Sequence, residues 1–341
     1  MDSLNSLLIA ILSTITLALM FWPKRGWFWK WRRGLLSTQR VLMEDALKHL
    51  YDQEYKGFKC TLESLAGVLS VSGDTAAKLL GRLESLGLIT ARDRGFELTA
   101  EGRSYALRMI RIHRLWERYL ADETGLAATE WHRKAEKLEH IITEAEADAL
   151  AAAIGHPSYD PHGDPIPTPG GVLPPKRGQA LTDLAEGKLA QVIHIEDEPG
   201  AIYEQLVAQR LHVGTRIRIV QKTSDRIHFI ADGEENVLAP VVAANVTVEP
   251  LPKDQDMAGP YDTLASLKVG EQGEVISISK ACRGLQRRRL MDLGIIPGTV
   301  VSAAMKSFSG DPVAYNIRGA AIALRKNQAE MVQIKRLREA A

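Results

Sequence analysis

Apolar and polar positions repeat with different periods along this chain, and the changes of period divide it into segments. The run "LNSLLIAILSTITLALMFW", Leu4 to Trp22, contains no charged residue. About 19 residues at 1.5 Å each reach across a hydrocarbon core of roughly 30 Å. Residues 1–23 therefore read as a transmembrane anchor. Next, "PKRGWFWKWRR" interleaves Lys24, Arg25, Lys30, Arg32 and Arg33 with Trp27, Trp29 and Trp31, making residues 24–37 a basic, Trp-rich juxtamembrane segment. Basic residues and Trp rings gather at the cytoplasmic end of a span. The expected placement is the cell inner membrane, single-pass, N-terminus out, with the bulk of the chain cytoplasmic. A cleaved signal peptide fits less well, because its charges would precede the apolar run and an A-x-A site would follow. A buried core helix is the remaining reading, and the Trp–Lys–Arg alternation argues against it.

From residue 38 to 107 the pattern is three helices, a short hairpin and the start of a long helix. In "STQRVLMEDALKHLYDQE" the apolar residues Val41, Leu42, Ala46, Leu47 and Leu50 form a helical stripe. "TLESLAGVLSVSGDTAAKLLGRLESLGLI" reads as two helices broken at Val71–Gly73, with Thr61 and Ser72 as N-caps. Leu88–Ala91 and Phe96–Leu98 are β segments turned by "RDRG". A helix-turn-helix followed by a small hairpin is how a winged helix lays one helix in the DNA major groove and a wing on the backbone. On the presumed recognition helix Ser72, Asp74, Thr75, Lys78 and Arg82 face outward, and Arg92 and Arg94 lie on the wing. The DNA-contact candidates are Ser72, Thr75, Lys78, Arg82, Arg92 and Arg94; a winged helix serving protein contacts is the competing reading.

The stretch "TEWHRKAEKLEHIITEAEAD", Thr129 to Asp148, raises the question of metal chemistry. With His132 at zero on a helical wheel, Glu136 falls near 40°, Glu139 near 340° and His140 near 80°. Ala135, Leu138, Ile141 and Ile142 fall between about 180° and 300°, so the apolar face is a different one. Upstream, His113 and Glu117 stand one turn apart on another helix. Imidazole and carboxylate donors together suit Mn, Fe, Co, Ni or Zn. A solvated face, with Arg133, Lys134 and Lys137 pairing the acids, is the bland alternative. It weakens for the set, since three of the nine histidines lie on these two helices.

The totals narrow the remaining classes. A chain of 341 residues with 45% hydrophobic and 25% charged content is ordinary globular protein, and a net charge of +1 points to no partner. The two cysteines, Cys60 and Cys282, exclude a disulfide scaffold and a Zn–thiolate site. There is no Walker loop, no GxSxG and no GxGxxG after a strand. No nucleophile or general base accompanies the ligand set, so an enzyme is not expected.

"HRLWERYL…WHRKAEKLEHII…GHPSYDPHGDPIPTP", behind a winged helix, resembles the DtxR/MntR family of metal-dependent repressors over roughly residues 38–170. The resemblance implies a metal-binding and dimerisation domain at 108–155 and two metal sites per subunit. Carried over by position, Asp45, Glu136, Glu139 and His140 form the primary site, and His113, Glu117 and His132 the ancillary one. Lys48 stands where manganese-type members carry a second acid. Glu136 replaces the Cys of iron-type members, which leans the choice between Mn2+ and Fe2+ towards Mn2+. In that family a metal joining Asp45 to the other ligands ties the winged domain to the dimer core, so metal and double-stranded operator DNA bind with reciprocal coupling.

Residues 156–180, dense in Pro and Gly, read as a linker. His156 and His162 within it are left out of the ligand set, because turn histidines are more often structural or exposed. Two segments of similar design follow, 181–252 and 262–338, an internal duplication of a small β-barrel type. The second closely resembles a FeoA/SH3-like domain through "RLMDLGIIPGT", "GDP" and "ALR"; the first is a looser match. His194, Glu196, Asp197 and Glu198 are candidates for an extra ligand, though an exposed acidic turn is the preferred reading.

The expected fold class is a mostly α N-terminal half (transmembrane helix, winged helix-turn-helix, helical dimerisation domain) plus two small C-terminal SH3-like β-barrels. The expected function is a membrane-tethered, homodimeric, Mn2+/Fe2+-dependent DNA-binding regulator of metal homeostasis. The alternative is a cytoplasmic metal-sensing adaptor of a membrane metal transporter, acting through protein contacts. The junction "FWPKRGWFWKWRRGLLSTQRVLMEDALKHLY" supports it by resembling regulators fused behind a metal permease.

Overall fold

A computed structural model describes residues 27–92, 95–175, 177–231, 233–252 and 262–337. The chain divides into two compact units, residues 1–110 and 111–341. In the first, helix α1 (Trp27–Lys56) is followed by α2 (Leu62–Val68) and α3 (Gly73–Ser85). A hairpin of β1 (Ile89–Arg92) and β2 (Gly95–Leu98) pairs Ile89 with Leu98 and Arg92 with Gly95. Helix α4 (Ala100–Glu123) begins here.

Local chemistry sets these boundaries. Thr61 accepts a hydrogen bond from Ser64 N to start α2, and Ser72 accepts one from Thr75 N to start α3, each satisfying an orphan helix donor. On α3, Ala76, Leu79, Leu80 and Leu83 recur at helical spacing and are buried against Ala46, Leu47, Leu50, Leu65 and Ile89. Each Leu so buried contributes about 1.5–3 kcal/mol. Gly102 lets α4 pass close to the hairpin, because a Cβ there would lie 1.8 Å from the Leu88 carbonyl oxygen.

The membrane expectation is corrected. No helix among the described residues is long and apolar enough to cross a membrane. The apolar stretch Leu4–Trp22 lies outside the described residues. The residues taken as a juxtamembrane segment run from Trp27 directly into α1, whose later turns carry Arg40, Glu44, Asp45, Lys48 and Asp52.

In the second unit the end of α4 leads to a 3-10 turn (Ala128–Glu130), α5 (Trp131–Glu139) and α6 (Glu144–Ala153). The stretch 129–148 is thus two helices. Thr143 and Glu146 form a reciprocal capping box that starts α6 and stops the earlier period. Ile141, counted on the apolar face, is 72% exposed.

Two sheet-rich modules follow. The first holds β3 (Gln179–Ala180), β4 (Leu189–Ile195), α7 (Gly200–Ala208), β5 (Arg216–Lys222), β6 (Ile227–Ala231), β7 (Glu234–Leu238), α8 (Pro240–Ala243) and β8 (Val246–Pro250). The second holds β9 (Asp262–Thr263), β10 (Gln272–Ile278), α9 (Gly284–Asp292), β11 (Val300–Lys306), β12 (Val313–Ile317), β13 (Ala320–Leu324), α10 (Lys326–Ala329) and β14 (Val332–Leu337). Their strand orders, β3-β8-β4-β5-β6-β7 and β9-β14-β10-β11-β12-β13, are the same order in duplicate. Even the register shifts correspond, at Val192/His194 and Val275/Ser277, and at Ile219/Gln221 and Ala303/Met305. Each module has its own core, around Phe229 in one and Tyr315 in the other.

Candidate metal centre

Helix α4 presents His113 and Glu117 one turn apart, both buried, with His113 Nε2 3.0 Å from Glu117 Oε1. His132 enters from the first turn of α5, its Nδ1 3.1 Å from the same Glu117 oxygen and 3.3 Å from His113 Nε2. The other ring nitrogen of His113 meets the fully buried Glu139 in a close hydrogen bond. Glu139 Oε1 in turn lies 3.3 Å from His140 Nε2. Glu139 therefore sits between His113 and His140.

Glu136 is placed differently. Its side chain is half exposed and points to His132, at 3.7 Å, so these contacts do not gather it with Glu139 and His140. Asp45 is half-buried on α1, in the first unit. Of the DNA-contact candidates, Ser72, Thr75, Lys78, Arg82 and Arg92 are exposed. Arg82 Nη1 reaches Gln39 Oε1 at 3.4 Å, and Arg92 pairs with Glu97 at 3.7 Å. Arg94 lies outside the described residues.

The structure also brings in His162, which the sequence reading leaves out of the ligand set, and Asp197 and Glu198, for which it prefers an exposed acidic turn. The Pro/Gly stretch is folded down onto the first module: Ile195 N donates to His162 O, and a Cβ on Gly163 would lie 2.0 Å from Ile193 O. Asp160 Oδ1 accepts from His162 N and Asp164 N, which shapes the turn. His162 is thereby 2% exposed, with Nε2 3.9 Å from Glu117 and 3.8 Å from Asp197. Among the described residues that nitrogen has no hydrogen-bond partner, and neither has buried Asp160 Oδ2. Asp197, in the turn after β4, is only 16% exposed and approaches His132 Nδ1 to 2.8 Å; Glu198 lies 3.3 Å from His132 Nε2. The acidic turn is part of the cluster.

Electrostatics divide these acids. Burial works to raise Glu117, but the charge and hydrogen bonds of His113, with help from His132 and His162, hold its carboxyl well below the usual range. Burial, reinforced by Asp164 and Glu117, pushes Asp160 well up. Burial works against a charged His132, yet Asp197, Glu117, Glu136 and Glu198 raise it. Asp164 is depressed despite burial because Arg114 and His194 face it.

Two donor sets within this unit, His113/Glu117/His132 and Glu117/His162/Asp197, have ligand atoms all within 4.8 Å of one another. Nitrogen and carboxylate oxygen without thiolate suit a borderline-to-hard divalent ion. An orphaned buried imidazole nitrogen between two carboxylates is what such a centre requires of its protein. Buried polar atoms normally have partners, and these residues fit a metal ion.

The family described as iron dependent repressor, metal binding and dimerisation domain, matches residues 99–168, and the FeoA domain matches residues 263–336. The iron-dependent repressor IdeR of Mycobacterium leprae (strain TN) is 30% identical over 211 residues, 57% of this chain and 90% of that protein. The chain belongs to the iron-dependent repressor family. The diphtheria toxin repressor of Corynebacterium diphtheriae is 27% identical, over 60% of this chain and 95% of its own. A solved manganese-dependent transcriptional repressor, in complex with manganese, is 31% identical, covers 61% of this chain and 99% of its own, and superposes with a TM-score of 0.57. The structure of ScaR with bound Zn2+ is 28% identical over 61% of this chain and 99% of its own, with a TM-score of 0.54. The relatives of this family member are repressors, and it is not an enzyme. Together with the lack of a spanning helix among the described residues, they overturn the inner-membrane localisation, and they give a membrane or transporter partner no support.

Proposed function

We propose that this chain is a metal-responsive transcriptional repressor that binds Mn2+ or Fe2+ and, as a homodimer, double-stranded operator DNA. The observation that carries the metal reading is the convergence of Glu117, His162 and Asp197 around a buried imidazole nitrogen that makes no hydrogen bond among the described residues. In this reading Glu117, His162 and Asp197, beside His113 and His132, hold one ion. Glu139 and His140, with Asp45 and Glu136 assigned by family position, hold a second. A bound divalent ion supplies positive charge where these carboxylates converge. The chain's own part is to keep His113 and His132 oriented by Glu117, and to exclude water from Glu139 and His162. Residues 38–107 are proposed as the winged DNA-binding domain, with Ser72, Thr75, Lys78, Arg82, Arg92 and Arg94 towards DNA, and 108–155 as the metal and dimerisation domain. The manganese complex of a 31% identical repressor supports Mn2+ as the first ion to test.

Calorimetry of Mn2+ into the full chain tests this. Binding is expected, and Glu117→Gln should weaken it by at least about tenfold, or ~1.4 kcal/mol. Indistinguishable isotherms for the two proteins would remove the assignment.

A further inference from the structure

The second FeoA-like module seats the start of α9 on the C-terminal end of α4. The contact has a backbone part. Leu285 N points at Thr124 O, 3.4 Å away. A Cβ on Gly284, whose φ is +55°, would lie 2.1 Å from Thr124 O and 3.0 Å from Ala121 O. The last carbonyls of a helix lack intrahelical partners, and here the first turn of another helix meets them. The contact also has a charged part. Arg288 Nη2 lies 2.7 and 2.6 Å from the two oxygens of Glu123, and Arg283 Nη1 lies 3.4 Å from Asp122 Oδ1. Cations at the carbonyl end of a helix are favoured by its dipole.

The same module grips the first one. Arg210 Nη2 lies 3.1 Å from Glu330 Oε2, and the Lys280 methylenes cover Gly214, where a Cβ would lie 2.8 Å from Lys280 Cδ. It therefore touches both parents of the metal centre: α4, which carries His113 and Glu117, and the module that supplies Asp197. Tyr203, on α7 of that first module, packs edge-on against His162 with ring centroids 5.0 Å apart.

We propose that the second FeoA-like module is a brace in cis for the metal centre, with Arg283, Gly284 and Arg288 as positioning residues. They hold Glu117 on α4 and Asp197 of the first module in a common geometry. The physical need is plain, since the donors come from α4, α5 and two turns. Donors on turns keep their geometry only when their supports are fixed. The inference rests on the metal reading above.

The test uses the full chain, Mn2+ calorimetry and amide hydrogen exchange across residues 120–125. Arg288→Glu is expected to speed exchange there and to weaken Mn2+ binding about tenfold. The exchanged pair, Glu123→Arg with Arg288→Glu, is expected to restore both, which a misfolded variant would not do. Faster exchange with Mn2+ affinity unchanged would show that the module only packs, and would overturn the brace. Unchanged exchange and affinity would overturn it as well. A wild-type chain that binds no Mn2+ would overturn the metal reading first, and the brace with it.

Discussion

Substituting His162 by Phe separates metal binding from packing. The ring lies 5.0 Å from Tyr203 and 5.8 Å from Trp131, and phenylalanine keeps those contacts. It removes Nε2, which is buried without a hydrogen bond among the described residues. An unsatisfied buried polar atom costs about 1–3 kcal/mol, offset in part by the attraction between His162 and Glu117, so the metal-free variant should lie within ~1 kcal/mol of wild type. With Mn2+ the two proteins diverge. At a free concentration of 100 times its Kd, the ion stabilises wild type by ~2.7 kcal/mol. Outer-shell substitutions cost about 10–100-fold in affinity, so a direct donor should cost ~100-fold or more. The variant then retains no more than ~0.4 kcal/mol of that stabilisation. For a unit of this size 1 kcal/mol moves Tm by about 2–4 °C. Wild type should therefore gain ~5–11 °C on Mn2+ addition and His162→Phe no more than ~2 °C. Scanning calorimetry with and without Mn2+ reads this, and equal metal-induced shifts in the two proteins would refute the role of His162.

Thr143→Ala removes half of the capping box that starts α6 and should cost ~1 kcal/mol in chemical denaturation. Gly163→Ala places a Cβ 2.0 Å from Ile193 O at a φ of +97°; it should destabilise by at least ~2 kcal/mol and weaken Mn2+ binding, both visible in the same scans. Burial, reinforced by Glu54, raises the Cys60 thiol from 9.0 to about 11, leaving roughly one thiolate in a thousand at pH 8. Native Cys60 should resist alkylation there. Because the unfolded thiol ionises first, its contribution to stability is complete below pH 9.0 and is lost as pH rises through about 11, which denaturation at graded pH checks.

The parts of the fold legible in the sequence are those that local rules write. The stripe Ala76, Leu79, Leu80, Leu83, the caps Thr61 and Ser72, and the duplicated strand pattern all follow from period and capping chemistry. The break before α6 is also local, in the spacing of Thr143 and Glu146, but Ile141 and Ile142 continue the apolar period and conceal it. His162 and Asp197 are different. A histidine in a Pro/Gly turn and an acid in "EDE" look exposed, and their burial comes from Gly163 packing on β4 and from the first module closing over α4. No spacing encodes that meeting. The N-terminal expectation rests on the charge-free run Leu4–Trp22, which lies outside the described residues.

DNA binding by this chain is expected to depend on metal. Selection of duplex fragments by the full chain, with Mn2+ or with chelator, tests it most directly. A discrete bound set is expected with Mn2+, lost with chelator and lost in the variant combining Glu139→Gln and His140→Ala. The same fragments recovered with and without metal, or none in either condition, would contradict it.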